Sequence, residues 1–240
     1  MEEPQPIYIT TDEGERKEIE YKLPTEATKA VGVWQDLVGT STTQVSTIIE
    51  KINQSFQFME RFPIPRHLVW LGLKQSLWKS IEYVLPATTM SRQDAKMIAK
   101  ALYAKLLPKL GCNRNFPLLL RYNHPSLLGL GLRDPYLEQG LAKLQMFLDH
   151  GTADTISGQL CRTSLEHHQL EIGSFSSMFD LDYGKFSFLT SSTWITCLWE
   201  FVNEHNIQLI STAPQRPQPL RLQDRALMDI FCNEFEFPSK

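Results

Sequence analysis

Ser91-Arg-Gln-Asp-Ala-Lys-Met-Ile-Ala-Lys-Ala-Leu-Tyr-Ala-Lys-Leu-Leu-Pro-Lys-Leu-Gly111 decides the fold class. Ser91 and Asp94 have the spacing of a capping box, each side chain able to reach the other residue's backbone amide. Ala95, Ile98, Leu102 and Leu106 then recur at helical spacing. Pro108 and Gly111 are stop signals. Working back toward the N-terminus, Ser41-Thr-Thr-Gln44 matches a second capping box, with Gln44 able to reach the cap amide. Val45, Ile48, Ile49, Ile52, Phe56 and Met59 follow as an apolar stripe, and Pro63 ends it. Pro65 suits the first turn of another helix, where a missing N–H costs nothing. That helix is predicted to reach about Leu85, with Val69, Leu73, Leu77, Ile81 and Val84 on one face and Pro86 as its stop.

Outward from this helical middle the pattern changes. Ile7–Thr10 and Glu18–Leu23 cluster β-formers around Gly14, which predicts a hairpin. Lys29-Ala-Val-Gly-Val-Trp34 predicts a third short strand, broken by Gly39 and Thr40. Beyond Pro108 a Pro-, Gly-, Asn- and Leu-rich stretch runs to Asp134. Its Leu118-Leu-Leu120 and Leu127-Leu128 call for burial, so a structured connection is expected. Asp134-Pro135 reads as cap and first turn of a helix to Asp149, closed near Gly151. Further helices are predicted over Gly158–Glu171, stopped by Gly173, and over Thr193–His205, with Trp194, Leu198, Phe201 and Val202 inward. Residues 212–219 read as a proline-rich hinge and 220–235 as a last amphipathic helix. The fold class is mainly α, α+β overall: a short N-terminal β-hairpin and strand, then a multi-helix bundle and a helical C-terminal region.

Composition limits the function classes. Of 240 residues, 42% are apolar and 21% charged, which is ordinary for a folded chain. No apolar run approaches the roughly 18 residues needed to span a bilayer. Met1–Pro6 has neither the basic nor the apolar region of a signal peptide, so an intracellular chain without a membrane partner is expected. Cys112, Cys161, Cys197 and Cys232 show no C-x-x-C and no Cys/His ligand pair, which fits reduced thiols and no metal. His167-His168 point to different helix faces, and Asp180-Leu-Asp182 reads as an acidic loop. Gly129-Leu-Gly131 lacks the third glycine of a nucleotide fingerprint. Trp70, Trp78, Trp194 and Trp199 read as core.

Charge is distributed unevenly. The net charge of −3 hides a block from Lys51 to Arg121 with twelve basic residues against three acidic ones, a net +9, and leaves −12 for the rest. Arg92, Lys96 and Lys100 follow i, i+4 spacing beside the apolar stripe, and Lys105, Lys109 and Arg114 continue past them. Cations in such a row can track phosphates and release counterions. The plainer alternative is a solvated face.

Three stretches, taken in order, resemble the region after the catalytic palm in reverse transcriptases of non-LTR retrotransposons. Lys29-Ala-Val-Gly-Val33 is similar to that family's "K-x-L-G-V" strand, which helps hold the primer end, with Val31 in place of leucine; Val31, Gly32 and Val33 would be the primer-grip-like residues. Tyr83-Val-Leu-Pro-Ala-Thr-Thr89 closes a helix that begins near Pro65. Leu107-Pro-Lys-Leu-Gly-Cys-Asn-Arg-Asn-Phe-Pro117, Leu128-Gly-Leu-Gly-Leu132 and Glu138-Gln-Gly140 resemble "L-P-K-x-G-x-N-R-x-x-P … G-G-L-G-L … E-Q-G", Leu128 replacing a glycine. Arg221-Leu-Gln-Asp-Arg225 with Met228-Asp229 resembles the family's "R-x-x-D-R-x-x-M-D" tail.

Composition marks a disordered leader (1–6) and a hinge with a C-terminal helix (212–240); between them the resemblance implies a palm-end β element (7–38), a thumb-like bundle (41–110) and a helical connection region (111–211). It also implies what is missing. The family's paired palm aspartates hold two Mg²⁺ ions, and this sequence has no Asp-Asp dipeptide. The expected protein is therefore a fragment or remnant of an RNA-directed DNA polymerase, non-catalytic alone, with Mg²⁺ needed only alongside a palm segment. Its expected partner is an RNA–DNA hybrid or other nucleic acid, whose phosphates Lys74, Lys79, Arg92, Lys96, Lys100, Lys105, Lys109 and Arg114 would contact without reading sequence. The alternative is a helical protein-interaction module with no nucleic-acid role, motivated by the acidic flanks.

Overall fold

The N-terminal strands make two separate antiparallel hairpins, not one hairpin and a lone strand. In the computed structural model, which describes residues 7–10, 14–19, 21–174 and 176–209, β1 (Ile7–Thr10) pairs with β2 (Arg16–Ile19). The expected leader over 1–6 and the hinge and helix over 212–240 lie outside the described residues. β3 (Thr28–Ala30) pairs with β4 (Val33–Gln35), Lys29 opposite Trp34. The stretch expected as one strand over 29–34 thus turns back at Val31-Gly32, with φ of +48° and +86°. Two central residues at positive φ match the twist of the flanking strands. Gly32 takes this conformation freely, but β-branched Val31 does not. The Tyr83 hydroxyl, donating to the Val31 carbonyl at 2.9 Å, helps hold it.

The helices follow the apolar spacing, with two departures. α1 (Thr42–Arg61) buries Val45, Ile48, Ile52 and Phe56. Its expected capping box does not form. The Trp34 N–H donates to Gln44 Oε1 at 2.7 Å, and the Thr89 N–H donates to Ser41 Oγ at 3.1 Å, so both side chains serve other segments. The single helix expected over 65–85 is instead α2 (Arg66–Gly72), a π-helical turn (Leu73–Leu77) and α3 (Trp78–Glu82). Val69, Leu73, Leu77 and Ile81 recur every fourth residue, and in an α-helix such a row drifts by about 40° per step. The wider turn absorbs the drift and keeps all four buried. Leu85–Ala87 then forms one 3₁₀ turn.

α4 (Arg92–Lys109) starts at the expected box: the Asp94 N–H donates to Ser91 Oγ at 3.2 Å, and the Ser91 N–H to Asp94 Oδ2 at 3.0 Å. Pro108 lies within its last turn and does not end it. The stop is at Gly111. There the Cys112 N–H donates to the Leu107 carbonyl at 2.8 Å and the Gly111 N–H to that of Pro108 at 3.0 Å, which satisfies carbonyls the helix end would leave open. The connection that follows holds α5 (Leu118–Tyr122) and a 3₁₀ turn (Pro125–Leu127). It folds back on itself, the Leu130 N–H donating to the Leu120 carbonyl and the Leu132 N–H to that of Arg121. This pairing brings Leu130 and Leu132 to the core. Leu118, Leu119, Leu127 and Leu128, expected to be buried, are exposed, Leu128 by 89%.

α6 (Pro135–His150) begins at the predicted Asp134 cap, which accepts from the Tyr136 N–H at 2.8 Å. α7 (Ile156–Ile172), capped by Thr155 ahead of the expected start, α8 (Tyr183–Phe186) and α9 (Trp194–Glu204) complete the described helices. The fold is mainly helical, as the spacing predicts.

Two apolar cores result. One joins α1 to α4, centred on Ile52, Phe56, Ile98 and Leu102. The other gathers α6, α7 and α9 about Leu198 and Trp199. Glycine at 140 lets α9 approach α6, because any Cβ there would collide with the Phe201 ring. The seam between the cores is polar. Gln139 donates to the Met90 carbonyl at 3.0 Å and accepts from the Thr88 hydroxyl at 3.2 Å, and the Trp194 indole N–H donates to the Pro86 carbonyl at 2.7 Å.

Candidate nucleic-acid interface

The basic residues do not form one face. A turn takes 3.6 residues, so nine residues along a helix leave a side chain about half a turn away from its start. Lys105 is accordingly opposite Lys96, and Lys109 opposite Lys100. Lys105 and Lys109 lean toward α1, donating to Asn53 Oδ1 at 2.7 Å and to the Met59 carbonyl at 3.3 Å. They tie helices together. Lys79 pairs with Glu82 at 2.7 Å, and this hydrogen bond leads the causes that hold the Glu82 carboxyl below its usual range. Lys74 lies over the Trp70 ring, 4.7 Å from its centre, a cation–π arrangement. Both lysines border a separate small hollow with Arg133.

Arg92, Lys96, Lys100 and Arg114 do come together. They border a cleft of about 660 Å³ between α4 and residues 114–122, which also takes in Arg121. Lys96, Lys100 and Arg114 are exposed. Arg121 is half-buried, donates to the Phe116 carbonyl at 3.1 Å, and lies 5.4 Å from the centre of the Tyr103 ring. The lining also holds Ala95, Ala99 and Ala104 from α4, with Leu118, Tyr122 and Leu137. Among the described residues Asp134 is the one carboxylate on the lining. It caps α6, so its charge is set against that helix's N-terminus. At one end the Arg92 guanidinium donates to Glu204, and the Tyr136 hydroxyl donates to the same carboxylate at 2.8 Å. Burial, with the Glu204 bond behind it, pushes the Tyr136 phenol well above its ordinary range, so it remains a donor at neutral pH.

No protein-family model, curated protein or solved structure matches this chain. The likeness to reverse transcriptases therefore rests on its short motifs and their order. The primer-grip-like residues are split by the second hairpin: Val31 and Gly32 form its exposed tip, and Val33 is buried.

Arg121, Tyr122, Tyr136 and His205 border the cleft but are not among the candidates the sequence singles out. The Arg121-Tyr122 pair, a cation beside an aromatic, is a usable local signal. His205 and Tyr136 are far apart in sequence, and only the approach of α9 to α6 joins them. Elsewhere, among the described residues, no three His, Cys, Asp or Glu side chains gather as metal ligands. His168 is buried, its Nδ1 2.7 Å from Glu171 Oε2 and its Nε2 2.7 Å from the Thr193 hydroxyl, which joins α7 to the start of α9. No helix of the described residues is long and apolar enough to cross a membrane.

Proposed function

We propose that this chain binds nucleic-acid phosphates without reading sequence, an RNA–DNA hybrid being the first ligand to try, and that it is the post-palm part of a retroelement reverse transcriptase with no catalysis of its own. The observation that carries the binding reading is the convergence of Arg92, Lys96 and Lys100 from α4 with Arg114 and Arg121 from the following segment on one cleft. A solvated charge run needs no such convergence. The order of the family-like motifs supports the ancestry. Mg²⁺ belongs to the palm chemistry and is not required for binding.

Three to five phosphate contacts imply a roughly 40- to 500-fold loss of affinity between about 50 and 200 mM salt. Fluorescence anisotropy with a labelled hybrid measures this. Lys96→Glu combined with Lys100→Glu should abolish most of the binding while circular dichroism and Tm stay unchanged. Undiminished binding in that variant, or no binding of either hybrid or single strand by the wild type at low salt, sinks the reading.

A second reading, a helical protein-interaction module, draws on the exposed Leu118, Leu119, Leu127 and Leu128, since grouped apolar exposure marks contact surfaces. It also draws on the pairing of Lys79, Arg92 and Arg133 with carboxylates. It predicts no hybrid binding at any salt concentration.

A further inference from the structure

We infer that the cleft takes an unpaired nucleic-acid strand and not a duplex; this rests on the nucleic-acid reading above and specifies its ligand. A duplex offers a protein surface its phosphates and keeps its base faces in the stack. An unpaired strand offers both. The cleft is complementary to the second. Lys96 and Lys100 from α4 and Arg114 and Arg121 from the following segment line it together with apolar side chains. Two of those apolar side chains, Leu118 at 63% and Leu137 at 41% exposure, are open to solvent. They offer base faces an apolar surface beside the cations. The cleft volume is about 660 Å³, the size of a small-molecule site. A single strand can enter it, whereas a double helix can only lie across its mouth.

Arg92, Lys96 and Lys100 step along α4 by about 6 Å, a repeat that neighbouring phosphates of a paired or an unpaired strand can both follow, so the apolar lining and not the cation spacing carries the preference. Arg92 is held by Glu204, which does not line the cleft, so the strand is left with Lys96, Lys100, Arg114 and Arg121.

The test uses the full chain at low salt with three probes: a labelled oligothymidylate, a blunt RNA–DNA hybrid of equal length, and thymidine monophosphate as competitor. The single strand should bind at least about tenfold tighter than the blunt hybrid, the size of one base contact. Ala104→Leu, at an exposed position on the cleft lining, should weaken single-strand binding more than hybrid binding and so remove that preference. Equal or tighter binding of the blunt hybrid overturns the inference and leaves the broader reading standing. So does an Ala104→Leu variant that keeps the preference. Competition by the mononucleotide at the same concentration as the oligomer makes the cleft a small-anion site, which also overturns it. Binding to none of the three probes removes the nucleic-acid reading altogether.

Discussion

The core around α4 is closed by hydrocarbon, whereas the core around α9 is stitched by polar groups. Ile52, Ile98, Leu102 and Leu107 are wholly buried among other apolar side chains. The buried polar residues near them, Ser41, Gln44 and Thr88, bond to the Thr89 amide, to β4 and to α6. In the second region Lys143, His168, Gln169 and Thr196 are buried within the helices themselves. Both ring nitrogens of His168 have partners, and Gln169 donates to the Ser176 carbonyl at 2.7 Å. Lys143 is not. Its ammonium has no hydrogen-bond partner among the described residues and rests 5.5 Å from the centre of the Trp194 ring. The first region is specified by shape and the second by hydrogen bonds, and the two should fail differently.

The largest effect belongs to the apolar core. Leu102 is wholly buried. Leu102→Ala should cost about 2–5 kcal/mol, because the neighbours collapse only partly into the space. Urea denaturation measures it, and a loss under about 1 kcal/mol would mean that this core is loosely packed. Lys143→Met should move the other way, raising stability by roughly 1–3 kcal/mol by removing an unpaired buried charge. Burial lowers the Lys143 amine from 10.5 to about 8. Below pH 8 the folded and unfolded chains are both protonated and the burial cost is fully present. Between pH 8 and 10.5 the unfolded chain holds a proton that the folded chain has lost, so stability rises with pH and then levels. The Met variant should lack this rise; a parallel rise in both proteins would show that other groups cause it.

Smaller effects test the borders of the comparison. Ser91 supplies one half of the α4 capping box. Ser91→Ala removes it and should cost about 1 kcal/mol. Lys96 and Lys100 are exposed. Changing both to Glu should alter stability by no more than about 0.5 kcal/mol. A larger loss would make these lysines part of the fold and would undercut their use as a binding test.

Legibility in the sequence varied with the range of the interaction. The α4 box, the Asp134 cap and the apolar stripes were readable because each partner lies within four residues. The Ser41–Gln44 box was not, because Trp34 and Thr89 outcompete the local amides for the same side chains. The hairpin at Val31-Gly32 lacks the Asn-Gly or Asp-Gly pair that announces such turns. The exposed leucines misled because a run of leucines reads as core wherever it falls, and the backbone pairing of 120–132 decides which of them face inward. For the cleft, the basic block marked the helix but not the lip of the helix that counts.

The amino-acid sequence by itself determined the helical character of this protein, the start of α4 and α6, and the placement of a strongly basic block between acidic flanks, since propensity, capping and charge are local properties. Tertiary structure alone decided which cations act together. Helical geometry turned Lys105 and Lys109 toward α1, the folded-back segment brought Arg114 and Arg121 to face Lys96 and Lys100, and the docking of α9 on α6 set Glu204 against Arg92 and Tyr136. Those placements depend on contacts between residues tens of positions apart, which no local pattern encodes.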